Sequence, residues 1–348
     1  MTRNALRLIF GLSLWLTSAA SAQDLHWYKG NTHTHTINSD GDTSPDAVAR
    51  WYREHGYQFL FITDHEFITD VGPLNALIGA ESRFLVLPGQ EVTQWGADPT
   101  QRSAHINALF TTRVVWPVGE RHCLGSSCGA HAAAPVTLAD TFRTNIAAVR
   151  AQSGIAQVNH PNFLWSVRPQ DLNDIPDGTL LEVWNGLDGI NNLGGADGSG
   201  DVRPSAEGYW DYLLGRGKIV WGVGSDDSHA ESDRGHAWIM VHAAELTPAA
   251  IRAAIQHGNF YASNGVALSD VSASDTEFSV TIVQGPSAAR YATRFVGQDG
   301  RLLAEVAGLH PVYRFTGAET YVRAAITDSN GKRVWTQPVF RDSRRARQ

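Results

Sequence analysis

The stretch Phe59-Leu60-Phe61-Ile62-Thr63-Asp64-His65 sets the reading of this chain: four apolar residues run unbroken and then deliver an acid and a histidine. A short apolar run closed by polar residues reads as a strand buried on both faces, as in a sheet covered by helices. The same figure recurs along the chain. Ile155-Ala156-Gln157-Val158 delivers Asn159-His160-Pro161, and Ile219-Val220-Trp221-Gly222-Val223 delivers Gly224-Ser225-Asp226-Asp227-Ser228-His229. Thr179–Trp184 is a further strand carrying Glu182, and His105 opens the run Ile106–Phe110. Arg83–Thr93 reads as the strand Phe84–Leu87, a Pro88-Gly89 turn, and then Glu91. Nearer the start, Asn31-Thr32-His33-Thr34-His35-Thr36 puts two imidazoles on one side of an extended segment, because side chains alternate there.

Helical patterns separate these runs. Ser44-Pro45 is a start signal before Asp46–His55, whose apolar positions are Val48, Trp51 and Tyr52. Thr137–Ser153 repeats the behaviour with Leu138, Phe142, Ile146 and Val149, and Pro204–Gly215 and Pro248–His257 add two more. Alternating strands and helices favour a parallel sheet, and about seven such units suggest closure into a barrel with its functional groups at the carboxyl ends of the strands. The expectation is an α/β fold.

Each polar strand end has a plain structural reading beside the functional one. A single histidine there is as readily a buried hydrogen-bonding residue as a ligand, Asp64 serves equally as a turn cap, and Asp40 in Ser39-Asp40-Gly41 as an Asx-turn. Taken jointly, His33, His35, His65, His105, His160 and His229, with Asp40, Glu91 and the Asp226-Asp227 pair, point to a metal site. His26, His55, His122, His131, His236, His242, His257 and His310 lack that setting and read as surface or structural. Imidazole and carboxylate without thiolate suit Zn²⁺, Mn²⁺, Fe²⁺ or Co²⁺. The donors exceed what one ion uses, which implies two or three divalent ions and favours hydrolysis.

His33-Thr34-His35, Ser39-Asp40-Gly41, Thr63-Asp64-His65, Gly89-Gln90-Glu91, His105, Asn159-His160-Pro161 and Gly224–His229 also occur in a characteristic order. As an ordered set over residues 27–265 they resemble the motifs of the polymerase and histidinol phosphatase (PHP) family. The resemblance implies a distorted seven-stranded β/α barrel, TIM-like, with up to three ions (Mn, Zn or Fe) acting on phosphoesters. It implies that His33, His35, Glu91 and Asp227 hold one ion, Glu91, His105 and His160 a second, and Asp40, His65 and His229 a third. Asp40 stands where many members have histidine. The doubled acid leaves two alternatives: the family's Asp-x-His spacing favours Asp227, and counting from Gly224-Ser225 favours Asp226.

The chain has 348 residues, 43% hydrophobic and 18% charged, ample for a barrel and a small second unit. Residues 1–22 read as a secretory signal peptide: Arg3 and Arg7, the apolar run Leu8–Leu16, then Ala20-Ser21-Ala22. Its removal takes the formal net charge from −7 to −9. An acidic chain without basic runs argues against a nucleic-acid polymer as partner, and no segment is long enough for a stable membrane span. The only cysteines, Cys123 and Cys128, lie five apart in a chain read as exported (periplasmic or secreted) and so read as a small disulfide loop. That loop falls within Thr111–Val136, expected to form a partial lid. Residues 268–343 alternate apolar with polar, with hairpin signals at Asp299-Gly300 and Asn330-Gly331. They read as a separate sandwich-like antiparallel β domain after a barrel domain at 23–267, followed by a tail at 344–348.

The expected reaction is hydrolysis of a small phosphomonoester or phosphodiester by a hydroxide shared between two ions. Arg102, Arg168 and Lys29 are the cations available to a phosphoryl group, Asp64 is expected to orient a ligand histidine, and Asp226 to be a general acid. The same site could act on a carbamate or carboxyl ester, a reading favoured by Trp95, Trp116, Phe163 and Trp165 in rim loops. A non-catalytic metal-binding module is the third reading, disfavoured because a structural site closes with four donors.

Overall fold

The computed structural model describes residues 24–79, 83–96, 102–124, 127–131, 136–285 and 288–341. The expected signal peptide and the 344–348 tail lie outside these. The first half contains β1 (His26–Asn31), α1 (Pro45–Glu54), β2 (Phe59–Ile62), α2 (Val71–Ile78), β3 (Leu85–Trp95), β4 (Ala104–Leu109), the hairpin β5 (Glu120–Leu124) and β6 (Ser127–His131), α3 (Leu138–Ala151), β7 (Ile155–Val158) and β8 (Thr179–Asn185). After the short β9 (Gly195–Ala196) and β10 (Val202–Arg203) come α4 (Ala206–Gly215), β11 (Val220–Ser225), β12 (Trp238–Ala243), α5 (Pro248–Gln256) and β13 (Phe260–Ser263). The remainder is all strand: β14 (Leu268–Ala273), β15 (Glu277–Ile282), β16 (Tyr291–Val296), β17 (Leu302–Ala307), β18 (Val312–Arg314), β19 (Tyr321–Asp328), β20 (Arg333–Thr336) and β21 (Val339–Phe340).

Local chemistry places these elements. The helices open where a short polar side chain can accept an orphan backbone N–H. Asp70, Thr137, Ser205 and Thr247 accept from Gly72, Asp140, Gly208 and Ala250 respectively, each cap stabilising its helix by about 1 kcal/mol. In α1, Pro45 takes the first turn, where its missing N–H is not needed, and Val48, Ala49 and Tyr52 form the buried face. The strands β2, β7 and β11 are buried along their whole length, which is why they read as continuous apolar runs.

The main sheet runs β11-β8-β7-β4-β3-β2-β1-β12-β13-β20-β19-β16-β17. Within its first seven strands, β1-β2-β3 and β7-β8-β11 are parallel, whereas β4 is antiparallel to both β3 and β7. This mixed, parallel-rich α/β sheet matches the expected strand set, with five α-helices among the described residues. Ladder pairing does not run from β11 round to β1, because β1 gives its second edge to β12. The two segments meet just beyond the strand ends, where Asp227 N donates to His33 O (3.0 Å) and His35 N to Ser228 O (2.9 Å).

One sequence expectation is corrected. Pro88-Gly89 is not a turn: β3 continues through it, and Pro88 offers only its carbonyl, which accepts from Phe110 N at 2.8 Å. A proline is tolerated in a strand where its N–H is not required.

The later strands extend the same sheet through the β13–β20 pairing, and β14-β15-β18 form a separate three-stranded sheet. Both expected hairpins are present, β16–β17 and β19–β20. Phe278, Phe295, Val322, Ala324 and Ile326 centre one apolar core there. A larger core underlies the first sheet, and a third lies between α1, α2 and the β2–β3 pair. Fully buried Arg323 joins β19 to α4 through a two-pronged contact with Asp211 (2.8 and 2.6 Å) and a 2.8 Å pair with Glu207.

Candidate metal centre

The parallel strands deliver their carboxyl ends to one end of the sheet, and the reversed strand β4 delivers its amino end there. His105 begins β4 and so arrives beside residues that follow β1, β2, β7 and β11. Glu91 enters from within β3, where it forms an isolated bridge with His65.

Glu91 is the hub. Its Oε2 lies 3.2 Å from His33 Nε2 and 3.3 Å from His35 Nε2, while Oε1 lies 3.1 Å from His105 Nδ1 and 3.3 Å from His160 Nε2. Asp227 Oδ1 faces the first pair as well, 3.0 Å from His33 and 3.2 Å from His35. Asp40 gathers the rest, with Oδ2 3.4 Å from His65 Nε2 and Oδ1 3.5 Å from His229 Nε2. Three groups result: His33, His35, Glu91 and Asp227; Glu91, His105 and His160; and His35, Asp40, His65 and His229. In each group one ligand atom per residue falls within 4.8 Å of all the others. Donors about 2.0–2.2 Å from a shared ion must lie that close.

The rings are held from behind. His33 Nδ1–H donates to Glu182 Oε1 (2.8 Å), and His229 Nδ1–H to the Asp227 carbonyl (2.9 Å). His65 Nδ1 is hydrogen-bonded to Thr93 Oγ1 (2.7 Å) and His35 Nδ1 contacts Ser39 Oγ (3.3 Å). Fixing one ring nitrogen fixes the tautomer and aims the other. Two residues of the cluster sit in backbone conformations uncommon for residues with a Cβ: His160 at φ 24° and Asp227 at φ 54°. Such conformations persist where the surroundings enforce them, and they cluster at functional sites.

Electrostatically the cluster is an acid-rich buried knot. Burial opposes ionisation of Glu91 and Asp227, yet the surrounding imidazoles hold both well below the ordinary carboxylate range. Burial would also depress His35, but its contacts with Asp227 and Glu91 push it up to about 10. The carboxylates are thus calling for positive charge that, in the bare chain, only protonated imidazoles supply. Even so, His33 Nε2, His35 Nε2 and His105 Nε2 are buried without a hydrogen bond. An all-oxygen and nitrogen donor set whose buried imidazole nitrogens face carboxylates without a well-formed hydrogen bond fits divalent ions of the Mn, Fe or Zn kind.

Not every expected residue reaches this centre. Asp226 points away: its carboxylate accepts from Tyr52 OH (2.8 Å) and from the backbone of Gly235 (2.9 Å), His236 (2.8 Å) and Ala237 (2.8 Å). It locks the chain after β11, so the general-acid expectation is corrected and Asp227 is the member of the pair that faces the cluster. Asp64 touches no histidine directly. It accepts from Thr36 N, Thr36 Oγ1, Ser39 Oγ and Thr69 Oγ1, and reaches His35 only through Ser39. Arg102 is paired two-pronged with Asp171 (2.6 and 3.3 Å), and half-exposed Arg168 with Asp201 (3.3 Å). Lys29 lies 3.9 Å from the ring centroids of both Tyr57 and Trp238. None of these three cations lines the cavity.

Glu182 was legible as an acid in an apolar strand but not as the orienter of His33. It also accepts from Ser225 Oγ (2.5 Å) and His160 N (2.6 Å), so one buried carboxylate ties three strand ends together. Asn159 and Asn185 brace Glu91 (2.8 Å) and Asp227 (3.1 Å), roles that no spacing signals.

Beside the cluster lies a cavity of about 350 Å³, bounded by Asp40, His65, Glu91, His105, His160, Asp227 and His229 and by the apolar Trp95, Phe163, Leu187 and Ile190. Trp116 and Trp165 do not line it.

No family model matches this chain, and no curated protein matches it. Among solved structures it is similar to a two-domain protein from Bacteroides vulgatus containing a predicted PHP-like metal-dependent phosphoesterase. The two share 15% identity over 87% of this chain and 90% of that one, with a TM-score of 0.48. A candidate metal-dependent phosphoesterase from Bifidobacterium adolescentis is 16% identical over 57% of this chain and 87% of its own, with a TM-score of 0.36.

Proposed function

We propose that this chain is an exported PHP-family hydrolase that uses divalent ions to cleave a small phosphomonoester or phosphodiester. The observation that carries the reading is Glu91, whose two oxygens face two separate imidazole pairs as a carboxylate shared between two ions would. His33, His35, Glu91 and Asp227 would hold one ion, Glu91, His105 and His160 another, and Asp40, His65 and His229 a third. Such ions supply Lewis acidity and lower the pKa of water. The chain's own share is positional. Glu182, which can only accept, fixes the His33 tautomer, Thr93 holds the His65 ring, Asn159 and Asn185 hold the carboxylates, and apolar side chains wall part of the cavity. Export is supported by the Cys123–Cys128 disulfide, since such bonds persist in oxidising compartments. No helix among the described residues is long and apolar enough to cross a membrane.

A second reading is a carbamate or carboxyl-ester hydrolase on the same donors. It is favoured by the cavity lining, which holds no lysine or arginine among the described residues. Purified protein loaded separately with Mn²⁺ and Zn²⁺ is to be assayed on p-nitrophenyl phosphate, bis-p-nitrophenyl phosphate, p-nitrophenyl acetate and a naphthyl carbamate. Phosphate-ester turnover that disappears in His160→Ala is the expected result. Acetate or carbamate turnover alone establishes the second reading, and a fully active His160→Ala refutes the site.

A further inference from the structure

The strand β3 places three functions on one face. Side chains alternate along a strand, so Glu91, Thr93 and Trp95 point to the same side. Glu91 faces both imidazole pairs and would serve both of the proposed ions, Thr93 hydrogen-bonds His65, and Trp95 lines the cavity. The opposite face is structural: Val92 is in the main core, and Gln94 bonds Asn145 (3.0 Å) and the Val118 carbonyl (2.8 Å).

Trp95 belongs to none of the three apolar cores, and neither does Phe163, the other aromatic on the cavity. What holds the indole is the β5–β6 hairpin. β6 pairs with the end of β3, Gln94 with Ala130 and Trp95 with His131. The His131 ring lies 5.2 Å from the indole and His122 meets it edge-on at 5.8 Å, while the two imidazoles are 4.6 Å apart. His131 Nδ1–H also donates to the Gly96 carbonyl (2.8 Å). The approach is tight enough to need glycine: a Cβ on Gly129 would lie 2.5 Å from the Thr93 carbonyl oxygen and 2.9 Å from the indole. The Cys123–Cys128 bond closes this hairpin.

We propose that Trp95, held in place by the disulfide-closed hairpin, is the specificity wall of this site and selects substrates bearing a planar apolar group. The inference rests on the hydrolase reading above. A ring against the indole is desolvated on one face and gains offset or edge contact. The cavity offers apolar side chains for that group and, among the described residues, no lysine or arginine for a second anionic one. His122, His131 and the disulfide act as positioning elements.

Calorimetry on Mn²⁺-loaded protein with 2-naphthylphosphonate and methylphosphonate separates the ring's contribution from that of the shared anion. Wild type is expected to favour the naphthyl ligand about tenfold, Trp95→Ala to lose most of that preference, and Trp95→Phe to retain it. Cys123→Ser/Cys128→Ser should reduce it about threefold, with metal content by mass spectrometry unchanged in every variant. Equal affinity of wild type for the two ligands, or a preference surviving Trp95→Ala, overturns the proposal. So does a preference lost only together with the metal. If Trp95→Ala does not fold, Trp95→Leu carries the same expectation. Parallel turnover of p-nitrophenyl phosphate by the same preparations keeps failure of the hydrolase reading separate from failure of the wall.

Discussion

Arg323 in the later strands and the strand-end cluster around Glu91 both bury charge, but only the first sets a permanent cation of the chain against its carboxylates. Arg323 meets Asp211 and Glu207 at 2.6–2.8 Å, with a cation of fixed charge already in place. Around Glu91, three carboxylates face six imidazoles, whose positive charge is present only when they are protonated, and some buried ring nitrogens lack hydrogen bonds. A buried ion group completed by the chain serves the fold. One that the chain leaves short of positive charge is built to receive it.

The sharpest way to break this contrast lies in the adjacent acids. Asp227→Asn should lower turnover at least about 10³-fold and release an ion, since metal-borne charge stabilisation is worth several kcal/mol. Asp226→Asn should keep its metal and lose about 1–3 kcal/mol of stability, because its oxygens serve backbone donors. Metal analysis and urea unfolding of the two variants read the difference. Arg323→Met tests the balanced region: it should destabilise by about 3–5 kcal/mol without changing metal content. Adding Mn²⁺ at about 100 times its dissociation constant should stabilise wild type and Arg323→Met alike, by about 2.7 kcal/mol per site. Unequal increments would couple the two regions. Glu182→Gln should weaken metal binding about 10–100-fold while leaving the ligand count intact, as measured by competition with a chelating dye.

The smallest effect concerns Lys29. Burial lowers its pKa from the ordinary 10.5 to about 8, with Asp226 opposing. The unfolded chain therefore binds more protons between those values, and stability rises with pH across that window. Lys29→Met should flatten that rise in unfolding experiments at pH 7.5 and 10.5. An unchanged slope would remove Lys29 from the account.

Much of this was legible in sequence because buried parallel strands are apolar without alternation and end abruptly in polar residues. That pattern gives β2, β7, β8 and β11 with His65, His160 and the Asp226-Asp227 pair at their ends, whereas His33 and His35 follow from alternation and the grouping of the donors from the family resemblance. It misplaced Pro88-Gly89, since a strand that needs only a proline's carbonyl looks like a turn. It could not tell Asp226 from Asp227, because the left-handed backbone at Asp227 sends adjacent side chains to different partners. Nor could it see that Arg102 and Arg168 turn to Asp171 and Asp201, contacts between segments 33 to 69 residues apart. The α2 helix passed unread for want of a strong apolar period.

The common face of Glu91 and Trp95 has a consequence for size. Four residues of extended chain span about 13 Å, and over that length β3 pairs with β4 as far as Gln94 and with β6 at Gln94 and Trp95, so that length is held on the sheet. Under the function proposed above, the strand is a ruler laid from the proposed metal centre to the Trp95 wall, and it would set how long a substrate can be. A single inserted residue between them would do more than lengthen it: the indole would turn to the other face, and the ruler would lose its end mark.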